Sequence, residues 1–292
     1  MAYKIGQMED FFTSQSAYFQ TFILSTKGIY LILAFLLLPL NLLFEALKWR
    51  EATKGVAKIS ILKSIKGIVT GQALNLILPA NLGHFAGRLV NLEEAGLNKI
   101  QVISLVSVCQ AAQMSITFFA FLLGAFGLGH HFFSFEINHT HVLLSIIIGS
   151  LILVLLFQKL QKQVYFQDIT KGFRLVKSKQ ALLIFLFSLL RYLIFSTQFI
   201  LVLYFLNVDQ SWEKLAMVLS LVFMAKSLMP SFNFLSDLGV REFAALLFLP
   251  TIGLPESVVI AGSLWVWSIN IFLPSLLGTF ILLKTKLNYL FC

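Results

Sequence analysis

Long apolar runs separated by short polar segments make up most of the chain. Runs of this kind occupy residues 28–47, 100–128, 142–158, 181–206 and 256–283. About 20 helical residues cross a hydrocarbon core of about 30 Å. The pattern therefore predicts an all-α polytopic membrane protein with one transmembrane domain over residues 28–286. Residues 1–27 mix aromatic with polar side chains, which favours an interfacial N-terminal segment.

Two other apolar stretches, residues 67–90 and 213–250, contain residues that interrupt helices. The order of features is similar in both, with Asn75, Pro79, Asn81, Gly83, Gly87 and Arg88 in the first and Pro230, Asn233, Gly239 and Arg241 in the second. Proline removes a backbone donor, and glycine tolerates conformations that other residues avoid. Broken backbone at membrane depth persists only where protein buries it or a water-filled cavity lies beside it. The sequence therefore predicts helix breaks at Pro79, Gly83, Gly87, Pro230 and Gly239, next to a cavity.

The basic residues predict how the chain crosses the membrane. They concentrate in segments 48–66 and 159–179, whereas segment 129–141 has no Lys or Arg. Cytoplasmic loops carry the excess of Lys and Arg. The N-terminus is therefore expected outside and the C-terminus in the cytoplasm. The expected location is a plasma membrane, namely a bacterial inner membrane.

With this orientation, the two broken stretches become re-entrant helical hairpins that enter from opposite faces. The result is an inverted-topology repeat, with repeat one over about 28–128, a linker span and basic loop over 142–180, and repeat two over about 181–286. Interrupted hydrophobic segments at corresponding positions of two halves are a pointer to a transporter's binding site.

Composition agrees with a membrane protein and excludes several other classes. The chain is 58% hydrophobic and 12% charged, whereas soluble domains carry roughly 25% charged residues. The net charge of +9 is spread over short loops, which argues against a nucleic-acid partner. The sequence has no Walker loop, no catalytic triad order and no metal-ligand spacing, including in the histidine-rich segment 130–141. We therefore expect no cofactor, no bound metal and no enzymatic activity of its own.

Arg88 and Arg241 are the main candidates for substrate contact. An ionisable residue in a membrane segment is usually kept for function or for pairing, and a guanidinium can grip a phosphate at two points. The alternative is that each arginine reaches the interface or pairs with an acid, which for Arg241 is Asp237 or Glu242.

The other candidates have two interpretations each. Asp237 and Glu242 either couple transport to a cation or balance Arg241. His84 either titrates near neutral pH or is a satisfied polar residue. Three asparagines either bind a headgroup or satisfy backbone groups near the breaks, namely Asn75, Asn81 and Asn233.

Segments 75–88 and 238–244, together with Trp49, resemble the transmembrane region of lysylphosphatidylglycerol synthase/flippase proteins. The similarity covers most of residues 28–286. His84 departs from the family pattern, which commonly has an acid there. The chain ends at Cys292 without the family's soluble aminoacyl-transferase domain, so the resemblance implies lipid flipping and not aminoacyl transfer.

The resulting hypothesis is a flippase that moves a phosphate-bearing lipid between leaflets, the candidates being a phospholipid, an aminoacyl-phospholipid and a prenyl-linked lipid. One alternative is a membrane enzyme or subunit acting on a lipid-linked glycan, with Asp237 as the base. Another is a scaffold that recruits a separate soluble lipid-modifying enzyme through the basic loops. Topology and anionic lipids explain those loops equally well.

Overall fold

The fold is mainly helical in the part of the chain that the structure describes. A computed structural model describes residues 27–78, 82–90, 97–128, 173–229 and 234–290, and no strand occurs in these ranges. The side chains of residues 90, 234–238 and 285–290 are outside this description. Residues 1–26 of the predicted interfacial segment 1–27 and the whole predicted span 142–158 are also outside it.

The first half contains α1 (Gly28–Thr53), α2 (Ile61–Asn75), α3 (Leu82–Val90) and α4 (Lys99–Leu128). The second contains α5 (Ser178–Phe205), α6 (Trp212–Leu228), α7 (Phe234–Phe248), a 3₁₀ turn (Leu249–Ile252), α8 (Glu256–Trp267), a π-helical segment (Ser268–Phe272) and α9 (Leu273–Leu290).

Four helical stretches are long and apolar enough to cross a membrane. They are Gly28–Thr53, Lys99–Leu128, Ser178–Phe205 and Glu256–Lys284, close to four of the predicted spans. Large apolar side chains such as Leu36, Leu182 and Phe280 are exposed on their outer surfaces. The first span ends at Thr53 rather than at Leu47, because neither Gly nor Pro occurs between Leu47 and Gly55. Lys48 and Trp49 are therefore helical and buried, although they begin segment 48–66, which the sequence pattern predicts as a basic loop.

Helices α1 and α5 pack antiparallel at the centre of the molecule. At one end, Lys27 Nζ donates to Asn207 Oδ1 at 2.6 Å. At the other, Gln180 Nε2 donates to the backbone oxygen of Glu51 at 3.2 Å. We call the first the Lys27 end. The second is the basic end, since it carries Arg50, Lys54, Lys58, Arg174, Lys177 and Lys179.

Helices α2 and α3 form the first hairpin, which is held by two facing glycine pairs. A Cβ on Gly83 or Gly87 would collide with the backbone of α2 at Gly71 and Asn75, and Gly67 lies against the same face of α3. This spacing of small residues lets two helix backbones approach closely. Gly83 and Gly87 therefore lie inside a helix and pack it, which corrects their prediction as helix breaks. Gly239 lies inside α7, so its prediction as a break is also wrong.

The two hairpins begin at opposite ends of the molecule. In the first, Leu89 of α3 packs in the same cluster as Trp49, Ala52 and Ile59, at the basic end. The second hairpin is α6 with α7. Gln210 Nε2, just before α6, donates to the backbone oxygen of Ile252, just after α7, at 3.0 Å. Both ends of the second hairpin therefore lie at the Lys27 end.

Each hairpin packs against a long helix of the other half. Helix α2 packs on α9, where Gly278 contacts the backbone of Val69. Helix α6 packs on α4, where Gly124 contacts Met217 and Ser220. Both contacts use a glycine of the long helix, so the helix axes approach closely at each of them.

Candidate functional site

A cavity of about 290 Å³ lies between the two halves. Helices from both halves line it, and its charged residues are Glu45 on α1, Arg191 on α5, Lys226 on α6 and Arg241 on α7. The lining also includes the segments on the N-terminal side of both sequence breaks, at Leu76 and Leu78 in the first hairpin and Lys226 and Ser227 in the second. The cavity thus lies where the broken apolar stretches predict one.

Glu45 is the centre of an ion-pair cluster beside the cavity. Its Oε1 is 2.6 Å from Arg88 Nη2. Its Oε2 is 2.6 Å from Lys48 Nζ and 3.0 Å from Arg191 Nη1. Lys48 follows Glu45 by three residues, a spacing that places both side chains on one face of α1. One carboxylate is therefore shared by three cations.

Arg88 reaches this cluster because the glycine contacts hold α3 close to α2. Its side chain is 2% exposed, donates from Nη1 to the backbone oxygen of His84 at 3.0 Å, and has its guanidinium carbon 5.2 Å from the centre of the Trp49 ring. The burial and the contact with an aromatic face suit the weakly hydrated guanidinium. Arg88 is not among the residues that line the cavity, so of its two interpretations the geometry shows pairing with an acid, and that acid is Glu45.

Arg191 is the member of the cluster that faces the cavity. Its side chain is 31% exposed, compared with 1% for Lys48 and 2% for Arg88. Nε donates to Asn41 Oδ1 at 3.0 Å while Nη1 pairs with Glu45. Two neighbours on α1 thus engage two of the three guanidinium nitrogens, Nε and Nη1.

A polar connection continues from Asn41 into the second half. Asn41 Nδ2 donates to Asn270 Oδ1 at 2.6 Å, and Gln72 Nε2 donates to the backbone oxygen of Asn270 at 3.4 Å. Asn270 lies in the π-helical segment, a widened turn of a kind that is frequent at functional sites. The segment thus joins α1 and α2 beside the cavity, and Asn41 connects it to Arg191 on α5.

The predicted site residues have different outcomes. Asn75, His84 and Arg241 line the cavity. Glu242 does not, and its Oε1 accepts from Ser263 Oγ at 3.2 Å. Four predicted residues lie outside the described part of the chain, namely Pro79, Asn81, Pro230 and Asn233. Asp237 belongs to α7, and its side chain is outside that part, as is the histidine-rich segment 130–141.

Glu45, Lys48 and Arg191 are absent from the sequence-based candidates. Glu45 and Arg191 each lie within a predicted span, and an ionisable residue there is a functional candidate by default. That signal was sufficient to find both. Lys48 was obscured by its position at the start of a run of basic residues, where positive-inside topology explains a lysine equally well.

Comparison with known protein families gives a match over most of the chain. The family model described as the lysylphosphatidylglycerol synthase TM region matches residues 15–278. A search of curated proteins found no match, and neither did a search of solved structures.

Proposed function

Because the chain belongs to the family of the lysylphosphatidylglycerol synthase transmembrane region, we propose that it moves a phosphate-bearing lipid between the leaflets of the membrane. The observation that carries this proposal is the cavity between the two halves, with Arg191, Lys226 and Arg241 in its wall. The headgroup binds in the cavity, and the acyl or prenyl tails remain in the bilayer. The proposal assigns no catalytic reaction to this chain.

Charge and size both support a headgroup as the cargo. A guanidinium in a low-dielectric cavity attracts a phosphate more strongly than it does in water, and it donates two parallel hydrogen bonds. A volume of about 290 Å³ is at the lower end of small-molecule sites, which suits a headgroup without its tails.

The arrangement of the hairpins supports an inverted-topology repeat as the transport machinery. We infer that α1 to α4 correspond to α5 to α9, with the first hairpin re-entrant from the basic end and the second from the Lys27 end. In this correspondence the packing of α2 on α9 is equivalent to that of α6 on α4. Such repeats expose a central site to each side in turn by a rocking motion.

The proposed location is a plasma membrane, with the basic end in the cytoplasm. Arg50, Lys54 and Lys58 at that end agree with the excess of basic residues on cytoplasmic loops. The proposed partners are membrane lipids, and a separate lipid-modifying enzyme would supply or consume the transported lipid.

The test measures lipid movement in proteoliposomes that contain the purified protein. Trace phosphatidylglycerol labelled on one acyl chain reports leaflet exchange through quenching from outside. We expect rapid exchange with the native protein and a rate at least about tenfold lower with Arg191→Gln or Arg241→Gln, since each removes a cation that faces the headgroup.

Arg50→Gln is the matched control, because this arginine lies at the basic end, 38% exposed, and outside the cavity lining. It should exchange lipid at the native rate. Absence of exchange with native protein, for phosphatidylglycerol, phosphatidylcholine and a prenyl phosphate alike, would overturn the proposed function.

A further inference from the structure

The cluster around Glu45 holds more positive than negative charge. Both carboxylate oxygens are already engaged, Oε1 by Arg88 and Oε2 by Lys48 and Arg191. Three cations and one anion give the cluster a formal charge of +2. Lys48 and Arg88 are almost completely buried, so solvent screens this excess poorly.

No other acid in the described part of the chain contacts these three cations. The Lys48 ammonium also lies 3.4 Å from Gln113 Oε1, which is a neutral acceptor. The Glu51 carboxylate is occupied at the basic end, 3.3 Å from Lys54 Nζ. The Glu242 carboxylate accepts from Ser263, and Glu242 is not among the cavity-lining residues.

Buried charge that lacks a counter-charge is strongly unfavourable in a protein interior, and charged residues inside membranes pair with each other or mark transport pathways. The excess charge therefore favours an anion bound beside it. Arg191 gives the access, since it alone of the three cations lines the cavity.

We infer that Arg191, held in place by Glu45 and Asn41, binds a phosphate group at the edge of the cavity. By its charge, this site selects a headgroup of net negative charge over one with an added amine. This inference deepens the proposed function and rests on it. Phosphatidylglycerol fits the site, whereas its lysyl ester brings a cationic group toward a cluster that is already positive. Like charges placed together in a buried site oppose binding.

The first test measures binding with the whole protein in detergent micelles. Thermal unfolding is recorded with phosphatidylglycerol, lysylphosphatidylglycerol, phosphatidylcholine and inorganic phosphate, each added separately. Binding to the native state raises the unfolding midpoint. We expect phosphatidylglycerol to raise the unfolding midpoint clearly. The apparent affinity obtained from the midpoint shifts should be at least about tenfold lower for its lysyl ester.

Two variants assign that binding to Arg191. Arg191→Gln should abolish the preference for phosphatidylglycerol but still fold, because Glu45 keeps Arg88 and Lys48 as partners. Arg191→Lys keeps the charge without the planar fork, and should retain the preference with weaker binding. Arg50→Gln serves again as the control and should behave as the native protein.

The outcomes separate the inference from the proposed function. Equal binding of phosphatidylglycerol and its lysyl ester, or a preference that survives Arg191→Gln, overturns the inference even if lipid exchange is observed. Preferential binding without lipid exchange supports the inference on the headgroup and overturns transport. A midpoint rise with inorganic phosphate that lipid does not exceed identifies a site for free phosphate, and overturns headgroup selection.

Discussion

Glu45 has more partners than any other acid in the described part of the chain, and its position explains how three cations are tolerated beside an apolar core. Its carboxylate lies between Arg88, Lys48 and Arg191, which belong to three different helices. Removing the shared acid leaves buried cations without compensation, which typically destabilises a protein by about 3–5 kcal/mol. We expect Glu45→Gln to lower the thermal unfolding midpoint strongly in detergent.

Two variants test whether that loss comes from the cluster. Glu213→Gln removes an exposed acid in the first turn of α6 and should leave the midpoint nearly unchanged. Adding Lys48→Met to Glu45→Gln removes one of the orphaned cations, so the double variant should be more stable than Glu45→Gln alone. If the double variant loses the full sum of the two single losses, the side chains do not act as one cluster.

At this scale the sequence predicts types of residue better than their partners. The break pattern indicates Asn75, His84 and Arg241, and all three line the cavity. It also indicates Arg88, but the partner of Arg88 is 43 residues away in the sequence. Asn41 and Arg191 are 150 residues apart, and Asn41 and Asn270 are 229 apart. Only tertiary packing brings such residues together, and no local pattern encodes it.

At the scale of elements, the first hairpin depends on backbone contact between α2 and α3. A Cβ at position 87 would overlap the backbone of Gly67 and Gly71. Overpacking of this kind costs about 1–3 kcal/mol when side chains give way, and here backbone must move. We expect Gly87→Ala to lower the unfolding midpoint and to reduce lipid exchange, because Arg88 follows position 87 and would shift with it.

Gly239 provides the comparison for that substitution. It occupies the second hairpin, in α7, and within the described part of the chain nothing lies within 4 Å of a Cβ at this position. Alanine is favoured over glycine in a helix by about 0.5–1 kcal/mol, so Gly239→Ala should preserve or raise stability. Equal effects of Gly87→Ala and Gly239→Ala would contradict the close-packing explanation.

The sequence predicts the position of the membrane spans better than the backbone conformation at these glycines. Four spans follow from hydropathy alone, and the structure confirms them within a few residues, apart from the longer end of α1. The glycines at 83, 87 and 239 suggest broken backbone, yet all three are helical. A glycine permits either a break or a close approach, and the neighbouring helix that decides between them lies elsewhere in the sequence.

At the scale of the whole molecule, charge is distributed unequally between the two ends. The basic end carries Arg50, Lys54 and Lys58. The Lys27 end has few lysines and also carries acids, namely Asp209, Glu213 and Glu256. Membrane insertion retains loops rich in Lys and Arg in the cytoplasm. The ends of the molecule should therefore lie on opposite sides of the membrane, with the loop between α1 and α2 inside and the loop between α5 and α6 outside.

Single cysteines in those two loops test this orientation. In a background with Cys109→Ala and Cys292→Ser, a membrane-impermeant maleimide added to intact cells should label Asp209→Cys directly and Lys58→Cys only after permeabilisation. Both native residues are exposed, so neither label needs an opening of the fold. Labelling of both positions from outside would contradict opposed ends. Labelling of Lys58→Cys alone from outside would show the opposite orientation in the membrane. The second hairpin would then enter from the cytoplasm, which contradicts the orientation inferred from the basic residues.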